Sequence, residues 1–210
     1  MIDVKQQISD VRRWVGDRTL EAGEARVLTM TQVYDTDQAD LWDAVTTAER
    51  IQRWFLPISG DLREGGSYQF QGNAGGTVSR CDRPNGFSAT WEFNGQVSWV
   101  EVRLTREGDG RTRFELEHVA HVADEFWDQY GPGATGVGWD GAFLGLANYL
   151  NDPSAALDPE AAMAWALSPE GKEFHRLSAD SWAEAAVAAG EEPEQARASA
   201  DRTYGFYTGS

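Results

Sequence analysis

Cysteine is nearly absent from this sequence, with Cys81 as the single example among 210 residues. A lone cysteine cannot close an internal disulfide, which favours a reducing compartment. The chain also lacks any run approaching the ~18 apolar residues of a membrane-spanning helix, and its first residues lack the apolar core of a secretory signal. These absences predict a cytoplasmic protein that does not cross a membrane.

Positive charge is the second shortage. The sequence holds 18 Lys and Arg residues against 34 Asp and Glu, a formal net charge of −16. A surface this negative repels the phosphates of nucleic acids and of anionic lipids, so neither is expected as a partner. Aromatic residues, in contrast, are abundant. The 9 Trp residues and a hydrophobic fraction of 41% are enough for a large core and for an apolar pocket.

Motifs for a cofactor or a metal ion are missing as well. The glycine-rich segment 131–138 is followed by no Lys-Ser or Lys-Thr pair, so it is not a phosphate-binding loop. His118 and His121 lie at the end of a predicted strand, where alternating side chains would point the two rings to opposite faces. We therefore predict neither a bound metal ion nor a cofactor.

Hydrophobic periodicity predicts the order of helices and strands. Partial helical spacing predicts an N-terminal helix over 2–20, and a run rich in Val, Leu, Met and Thr predicts the first strand at 26–34. A bent pair of helices is expected over 37–55. Six short strands between 58 and 119 follow, separated by tight turns, and Asn94-Gly95 is the strongest hairpin signal among them.

The rest of the chain is predicted to be helical. An apolar stripe marks a long helix over 136–150, and helices rich in Ala and Glu are expected at 159–166, 169–188 and 193–205. With 11 acids against 4 bases, residues 151–210 carry a net charge of −7. The predicted fold class is α+β, with a curved antiparallel sheet wrapped around the long helix.

Three stretches, taken in this order, are similar to a known family. They are the segment Leu-Trp-Asp-Ala-Val-Thr-Thr-Ala-Glu-Arg-Ile-Gln-Arg-Trp-Phe from Leu41 to Phe55, then Gly65-Gly66 with Gly76, Pro84 and Trp91, and finally 110–118 with Gly138-Trp139 and the helix to Leu150. Together they resemble the START-like (SRPBCC, birch-pollen-allergen-like) superfamily. Within it they look most like the branch of homologues of the heat-shock-protein ATPase activator.

The resemblance implies a helix-grip fold for 25–150, with a cavity for a small, mostly apolar molecule between the sheet and the long helix. It leaves 1–24 as an N-terminal helical arm and 151–210 as an acidic helical extension packed on the domain. The candidate ligand-binding residues are large side chains on one face of two strands and on the helix, with one polar group among them: Trp91, Phe93, Phe114, Leu116, His118, Trp139 and Phe143. A closed core without a ligand is the alternative.

Two further functions stay open. An enzyme of the cyclase or hydrolase kind would act on the same ligand, but its catalytic residues are unknown, because the mid-chain candidates form no recognisable catalytic arrangement. These candidates are Tyr68, Arg80, Glu101, Arg103 and His118. A chaperone-partner role would need an exposed apolar patch on the sheet or on the extension. The extension is also a candidate contact surface for a homodimer.

Overall fold

The structure is a computed structural model that describes residues 2–154 and 159–209. Residues 155–158 of the predicted extension lie outside the described residues, as do Met1 and Ser210. The described helices are α1 Val4–Asp10, α2 Gln38–Thr46, α3 Ala48–Ile51, α4 Asp124–Tyr130, α5 Gly133–Asn151, α6 Pro159–Ala166, α7 Pro169–Ala188 and α8 Pro193–Thr208. The described strands are β1 Arg12–Leu20, β2 Gly23–Tyr34, β3 Ile58–Gly60, β4 Ser67–Phe70, β5 Gly75–Asp82, β6 Gly86–Phe93, β7 Gln96–Arg106 and β8 Thr112–Ala120.

The strands form one eight-stranded sheet in the order β1-β2-β8-β7-β6-β5-β4-β3. The β6–β7 hairpin turns at Asn94 and Gly95, whose φ angles of 50° and 77° are those of a two-residue type I′ turn. A register shift between Val78 and Arg80 in β5 is the kind of irregularity that bends a strand. The predicted α+β class with a curved antiparallel sheet is therefore confirmed.

The N-terminal helix is much shorter than predicted, which corrects the helical arm placed at 1–24. Helix α1 ends at Asp10, and the chain continues as strand β1 from Arg12. In β1 the side chains of Arg12 and Trp14 are exposed, whereas Arg13 between them is partly buried, which is the alternation of a strand. This alternation, with a glycine in the middle of the segment, outweighs the partial helical spacing from which the longer helix was predicted.

The glycine-rich segment 131–138 is mostly helical, since α5 begins at Gly133, three residues before the predicted start of the long helix. Two glycines of α5 lie where neighbouring groups pack directly against the helix backbone. A Cβ atom on Gly136 would overlap the indole of Trp182, and one on Gly145 would overlap the backbone carbonyl oxygen of Trp54. The helix therefore tolerates a residue type of low helix propensity because bulkier residues would not fit.

Two compact units make up the chain. The first comprises Met1–Leu28, His121–Leu144 and Leu157–Ser210, and the second comprises Thr29–Ala120 and Gly145–Ala156. The domain limits predicted at 24 and 150 are not tested by this division and stay predictions. Among the described residues, no helix is both long and apolar enough to cross a membrane.

The first unit contains an ion pair whose two side chains are 5% and 1% exposed. Arg13 donates to both carboxylate oxygens of Asp140, with Nη2 at 2.7 Å from Oδ1 and Nε at 3.1 Å from Oδ2. The same carboxylate accepts the hydroxyl of Ser178 at 2.5 Å and the indole N–H of Trp182 at 3.0 Å. Burial raises the pKa of Asp140, while these donors all favour its ionised form.

Around this pair the first unit has an apolar cluster formed by the N-terminal helix and the long C-terminal helices. Its fully buried members are Val4, Ile8, Leu144 and Phe174, and the side chains of Trp165 and Leu177 pack against them. Helices α6 and α7 of the predicted extension therefore take part in the packing of this unit.

Two substitutions in α5 should separate the space requirement of a glycine from its helix propensity. We expect Gly145→Ala to lower the free energy of unfolding by about 1–3 kcal/mol, because the added methyl group has to displace the backbone at Trp54. Gly141→Ala is the matched control: a Cβ there meets nothing within 4 Å, so a gain of about 0.5–1 kcal/mol is expected. Urea unfolding measures both, and equal effects would contradict the packing described for Gly145.

The buried ion pair yields a second stability prediction. Asp140→Asn leaves the buried guanidinium of Arg13 without a counter-charge, and a loss of about 3–5 kcal/mol is expected. Asp180→Asn, which breaks the half-exposed pair with Arg176 on α7, should cost only about 0.3–0.5 kcal/mol. Urea unfolding of both variants tests the contrast. A loss below 1 kcal/mol for Asp140→Asn would mean that Arg13 is solvated.

Candidate functional site

One face of the sheet in the second unit is apolar with a histidine among its side chains. In the register of the central strands, Ala89 of β6 pairs with Val100 of β7, which pairs with His118 of β8. Two residues further along β6, Trp91 pairs with Ser98 of β7. Directly paired residues of antiparallel strands point to the same face, so Trp91, Ser98 and His118 share one.

Aromatic rings from two further places in the second unit extend this face. The ring of Phe70 on β4 lies 5.6 Å from that of Trp91, and the ring of Phe55, just after α3, lies 5.0 Å from that of Phe70. The His118 ring lies 6.4 Å from the Trp91 ring. We call Trp54, Phe55, Tyr68, Phe70, Trp91 and His118 the aromatic cluster. Within it Trp54, Phe55 and Trp91 are partly accessible, while the other members are buried.

The segment that carries Phe55 is fixed at several points. Arg50 on α3 donates from Nε to the hydroxyl of Tyr149 at 2.8 Å and pairs with Asp40 at 2.7 Å. The hydrogen bond from Arg50 holds the pKa of Asp40 below its ordinary value. Trp54 donates its indole N–H to the carbonyl of Ala44 at 3.0 Å. These contacts hold the residues after α3 against α2 and the end of α5.

His118 is the polar group of the aromatic cluster. Its Nε2 lies 2.8 Å from the hydroxyl of Ser98, and that hydroxyl donates to the carbonyl oxygen of Trp91 at 3.0 Å. Because the single hydroxyl proton is used there, Nε2 carries the proton of the imidazole and donates to Ser98. Burial lowers the pKa of His118 to about 4, so the ring is neutral near pH 7.

The hydroxyl of Tyr68 is also held in place. It donates to the carbonyl oxygen of Thr90 at 2.6 Å. Burial, followed by the negative charge of Glu92, raises the pKa of Tyr68 well above its ordinary value. The hydroxyl therefore stays protonated, and the aromatic cluster contains no charged side chain of its own at neutral pH.

The other mid-chain candidates for acid–base chemistry lie away from His118. Glu101 pairs with Glu117 across β7 and β8, on the face opposite to Val100 and His118. There Glu101 accepts from Arg80 and from Arg103, each at 3.1 Å. No group of three or more His, Cys, Asp and Glu suited to a metal ion occurs in the described ranges. The structure thus separates the predicted catalytic candidates between the two faces of one sheet.

The predicted ligand-binding residues have different positions. Phe114 and Leu116 of β8 are buried on the face of His118, and the ring of Phe114 contacts that of Tyr34 at 6.4 Å. Phe93, beside the hairpin turn, is 47% exposed. Trp139 and Phe143 lie on the part of α5 that belongs to the first unit. That all of them line one cavity stays a prediction.

Sequence reasoning missed Trp54, Phe55, Phe70 and Ser98. A partial signal was available for Phe70, since Tyr68 and Phe70 are two apart on a strand and therefore share a face. Trp54 and Phe55 follow a helix in an irregular segment, where periodicity says nothing about direction. Ser98 becomes recognisable only when the β6–β7 register places it beside Trp91.

A known protein family matches the part of the chain that contains the aromatic cluster. The model of the family described as "Activator of Hsp90 ATPase homolog 1-like protein" matches residues 35–151. No curated protein matches the sequence. The crystal structure of CalU16 from Micromonospora echinospora is 34% identical, with a TM-score of 0.67 over 84% of this chain and 98% of that one.

More distant structures share the fold. MLL2253 from Mesorhizobium loti is 21% identical with a TM-score of 0.53, covering 61% of this chain and 98% of that one. EF2215 from Enterococcus faecalis, a conserved protein of unknown function, is 11% identical with a TM-score of 0.59, covering 90% and 96%. With CalU16, these structures confirm the helix-grip fold of the START-like superfamily.

The depressed pKa of His118 should appear as a pH dependence of stability. The unfolded chain takes up a proton near pH 6.5, whereas the folded protein does so only near pH 4. Between these values acidification favours the unfolded chain by ~1.4 kcal/mol per pH unit, so about 3 kcal/mol of stability is lost in all. Above pH 6.5 His118 contributes no slope.

Urea unfolding at a series of pH values measures this loss, and His118→Gln is the control because it lacks the titrating ring. The difference between the two proteins isolates His118 from the carboxylates that titrate in the same range. The imidazole carbon resonances of the folded protein give the pKa directly. A titration of His118 near pH 6.5 would show that the ring is hydrated.

Proposed function

Because the chain belongs to the family of activator of Hsp90 ATPase homolog 1-like proteins, we propose that it binds a small, mostly apolar molecule against the aromatic cluster. The proposal rests on one observation above all. Trp54, Phe55 and Trp91 keep part of their surface accessible, and Trp91 lies next to the buried His118. Partly accessible rings beside a buried polar group are typical of the wall of a ligand pocket.

The polar groups of the cluster favour an uncharged ligand. His118 is neutral, the Tyr68 hydroxyl is protonated, and the cluster supplies no cation or anion to compensate a buried charge. A charged ligand group would lose its hydration there without gaining a partner, at a cost of several kcal/mol. A flat apolar molecule, or an amphipathic one whose charged end remains in water, suits this surface.

The other candidate functions carry less support. A catalytic role would depend on His118, whose lowered pKa makes the ring a weak base. The other charged catalytic candidates, Arg80, Glu101 and Arg103, lie on the opposite face of the sheet. The chaperone-partner role has only the family description in its favour. Both roles, the homodimer, the lining by Trp139 and Phe143, and the cytoplasmic location stay predictions.

A neutral fluorescent probe tests the proposed site. We expect N-phenyl-1-naphthylamine to bind the wild-type protein saturably, with a rise in its fluorescence. Trp91→Leu should weaken this binding about tenfold. The estimate assumes that roughly 50 Å² of ring surface contacts the probe at about 25 cal/mol per Å².

The matched control is Trp99→Leu. Trp99 lies on the adjacent strand and points to the opposite face, where it pairs with Thr90. Its replacement should change the affinity less than twofold, and urea unfolding of both variants shows whether they remain folded. A wild-type protein that does not bind the probe, or equal losses for the two variants, would refute the proposed site.

A further inference from the structure

A polar groove lies along the second half of strand β7 and shares no residue with the aromatic cluster. It has a volume of about 700 Å³, and the side chains around it include Gln38, Arg80, Asp82, Glu101, Arg103 and Arg106. We call it the arginine groove. Three arginines in one groove stand out in a chain with 18 Lys and Arg and a net charge of −16. All of its residues belong to the second unit.

Arg106 is held in position by a buried amide. Gln38 is 7% exposed, and its amide N–H groups bond to the carbonyl of Leu104 at 2.9 Å and to the side-chain oxygen of Asn85 at 3.3 Å. The remaining amide oxygen of Gln38 accepts Nε of Arg106 at 3.1 Å. The side-chain oxygen of Gln38 is thus oriented to hold one edge of an exposed guanidinium.

The charge of Arg106 is not neutralised by the protein. In the described part of the chain no carboxylate pairs with Arg106, whose partner is an uncharged amide. The two terminal nitrogens of its guanidinium form the fork that binds carboxylate or phosphate oxygens with two parallel hydrogen bonds. An exposed, oriented guanidinium of this kind is a ready partner for an oxyanion.

The other two arginines share a single carboxylate. Arg80 and Arg103 both bond to Oε1 of Glu101 at 3.1 Å, so their guanidinium groups lie close together. Arg103 also reaches Glu115 at 3.2 Å. These exposed pairs are weak individually, and their hydrogen bonds can exchange with water or with an incoming anion at small cost.

The acidic surface elsewhere does not prevent anion binding at this place. At physiological ionic strength the Debye length is about 8 Å, so exposed acids beyond that distance are largely screened. A guanidinium in direct contact with an anion is screened much less. The groove has three arginines against Glu101 and Asp82, and Glu115 bonds to Arg103 as a third carboxylate, so the positive charge open to an anion is chiefly that of Arg106.

We propose that the arginine groove binds a small molecule that carries a multiply charged oxyanion, either a phosphate ester or a polycarboxylate. Arg106 binds the oxyanion through its terminal nitrogens, and Arg80 of β5 and Arg103 of β7 add charge along the groove. The site is distinct from the aromatic cluster, because none of the residues that line it belongs to that cluster and because Glu101 and Arg103 point away from the face of His118.

Isothermal titration calorimetry with inorganic phosphate, pyrophosphate and citrate tests the proposal at an ionic strength of about 0.15 M. We expect saturable binding of at least one of these probes at one site per chain. Binding of the two phosphates identifies a phosphate-type ligand, and binding of citrate alone identifies a polycarboxylate. Arg106→Gln should weaken the binding at least tenfold, since a charge-assisted pair of hydrogen bonds is lost.

Two further variants make the result specific. Arg80→Gln should weaken the binding about threefold to tenfold, and it serves as an independent test if Arg106→Gln disturbs the fold. Arg63→Gln removes the same charge from an exposed pair with Asp61 outside the groove, and should leave the affinity within twofold. The proposal fails if no probe binds saturably, or if Arg63→Gln and Arg106→Gln weaken binding equally. Either result leaves the fluorescent-probe test of the aromatic cluster unaffected.

Discussion

The close packing of side chains and backbone against helix α5 is the constraint on which both compact units depend. Trp182 is fully buried because Gly136 leaves room for its indole, and the segment at Trp54 lies against the helix because Gly145 has no side chain. Each interior glycine costs about 1 kcal/mol of helix propensity relative to alanine. Burying an indole contributes more than that, so the sequence gives up local helix stability in exchange for packing.

The two compact units treat buried polar groups in opposite ways. In the first unit, Asp140 has a donor at each of its oxygens, and the charge of Arg13 is fully paired. Both carboxylate oxygens of Asp140 are thus occupied by hydrogen bonds within the protein, and the ion pair has a structural role. In the second unit, His118 is buried as a neutral ring beside partly accessible aromatic side chains. A neutral group beside accessible surface suits the recognition of a ligand, which is why the aromatic cluster and not the ion pair is the candidate site.

Sequence patterns predicted the parts of the fold that depend on neighbours in the chain. Asn94-Gly95 forms the expected hairpin, and α7 has the bounds predicted for it, Pro169–Ala188. Strand β1 was missed because its short alternation at Arg12–Trp14 competes with the partial helical spacing of 2–20, and its pairing with β2 is a contact that periodicity does not show. Trp91 and His118 were chosen from strand alternation together with the family resemblance, whereas Phe55 joins them through contacts between distant segments. The role of Gln38 in holding Arg106 depends on residues 68 positions apart, which no local pattern reveals.

The hairpin turn also decides which chemistry each side of the sheet displays. In β7, Ser98, Val100 and Val102 share the face of His118, and Glu101 and Arg103 alternate with them on the other. A shift of one residue in the pairing would exchange the two faces and bring charged groups beside Trp91. The positive φ angles at Asn94 and Gly95 fix the turn and hence the pairing that begins with Phe93 and Gln96. One strand can therefore supply an apolar surface and the charged side chains of Glu101 and Arg103 at once, because its side-chain period of two keeps them apart.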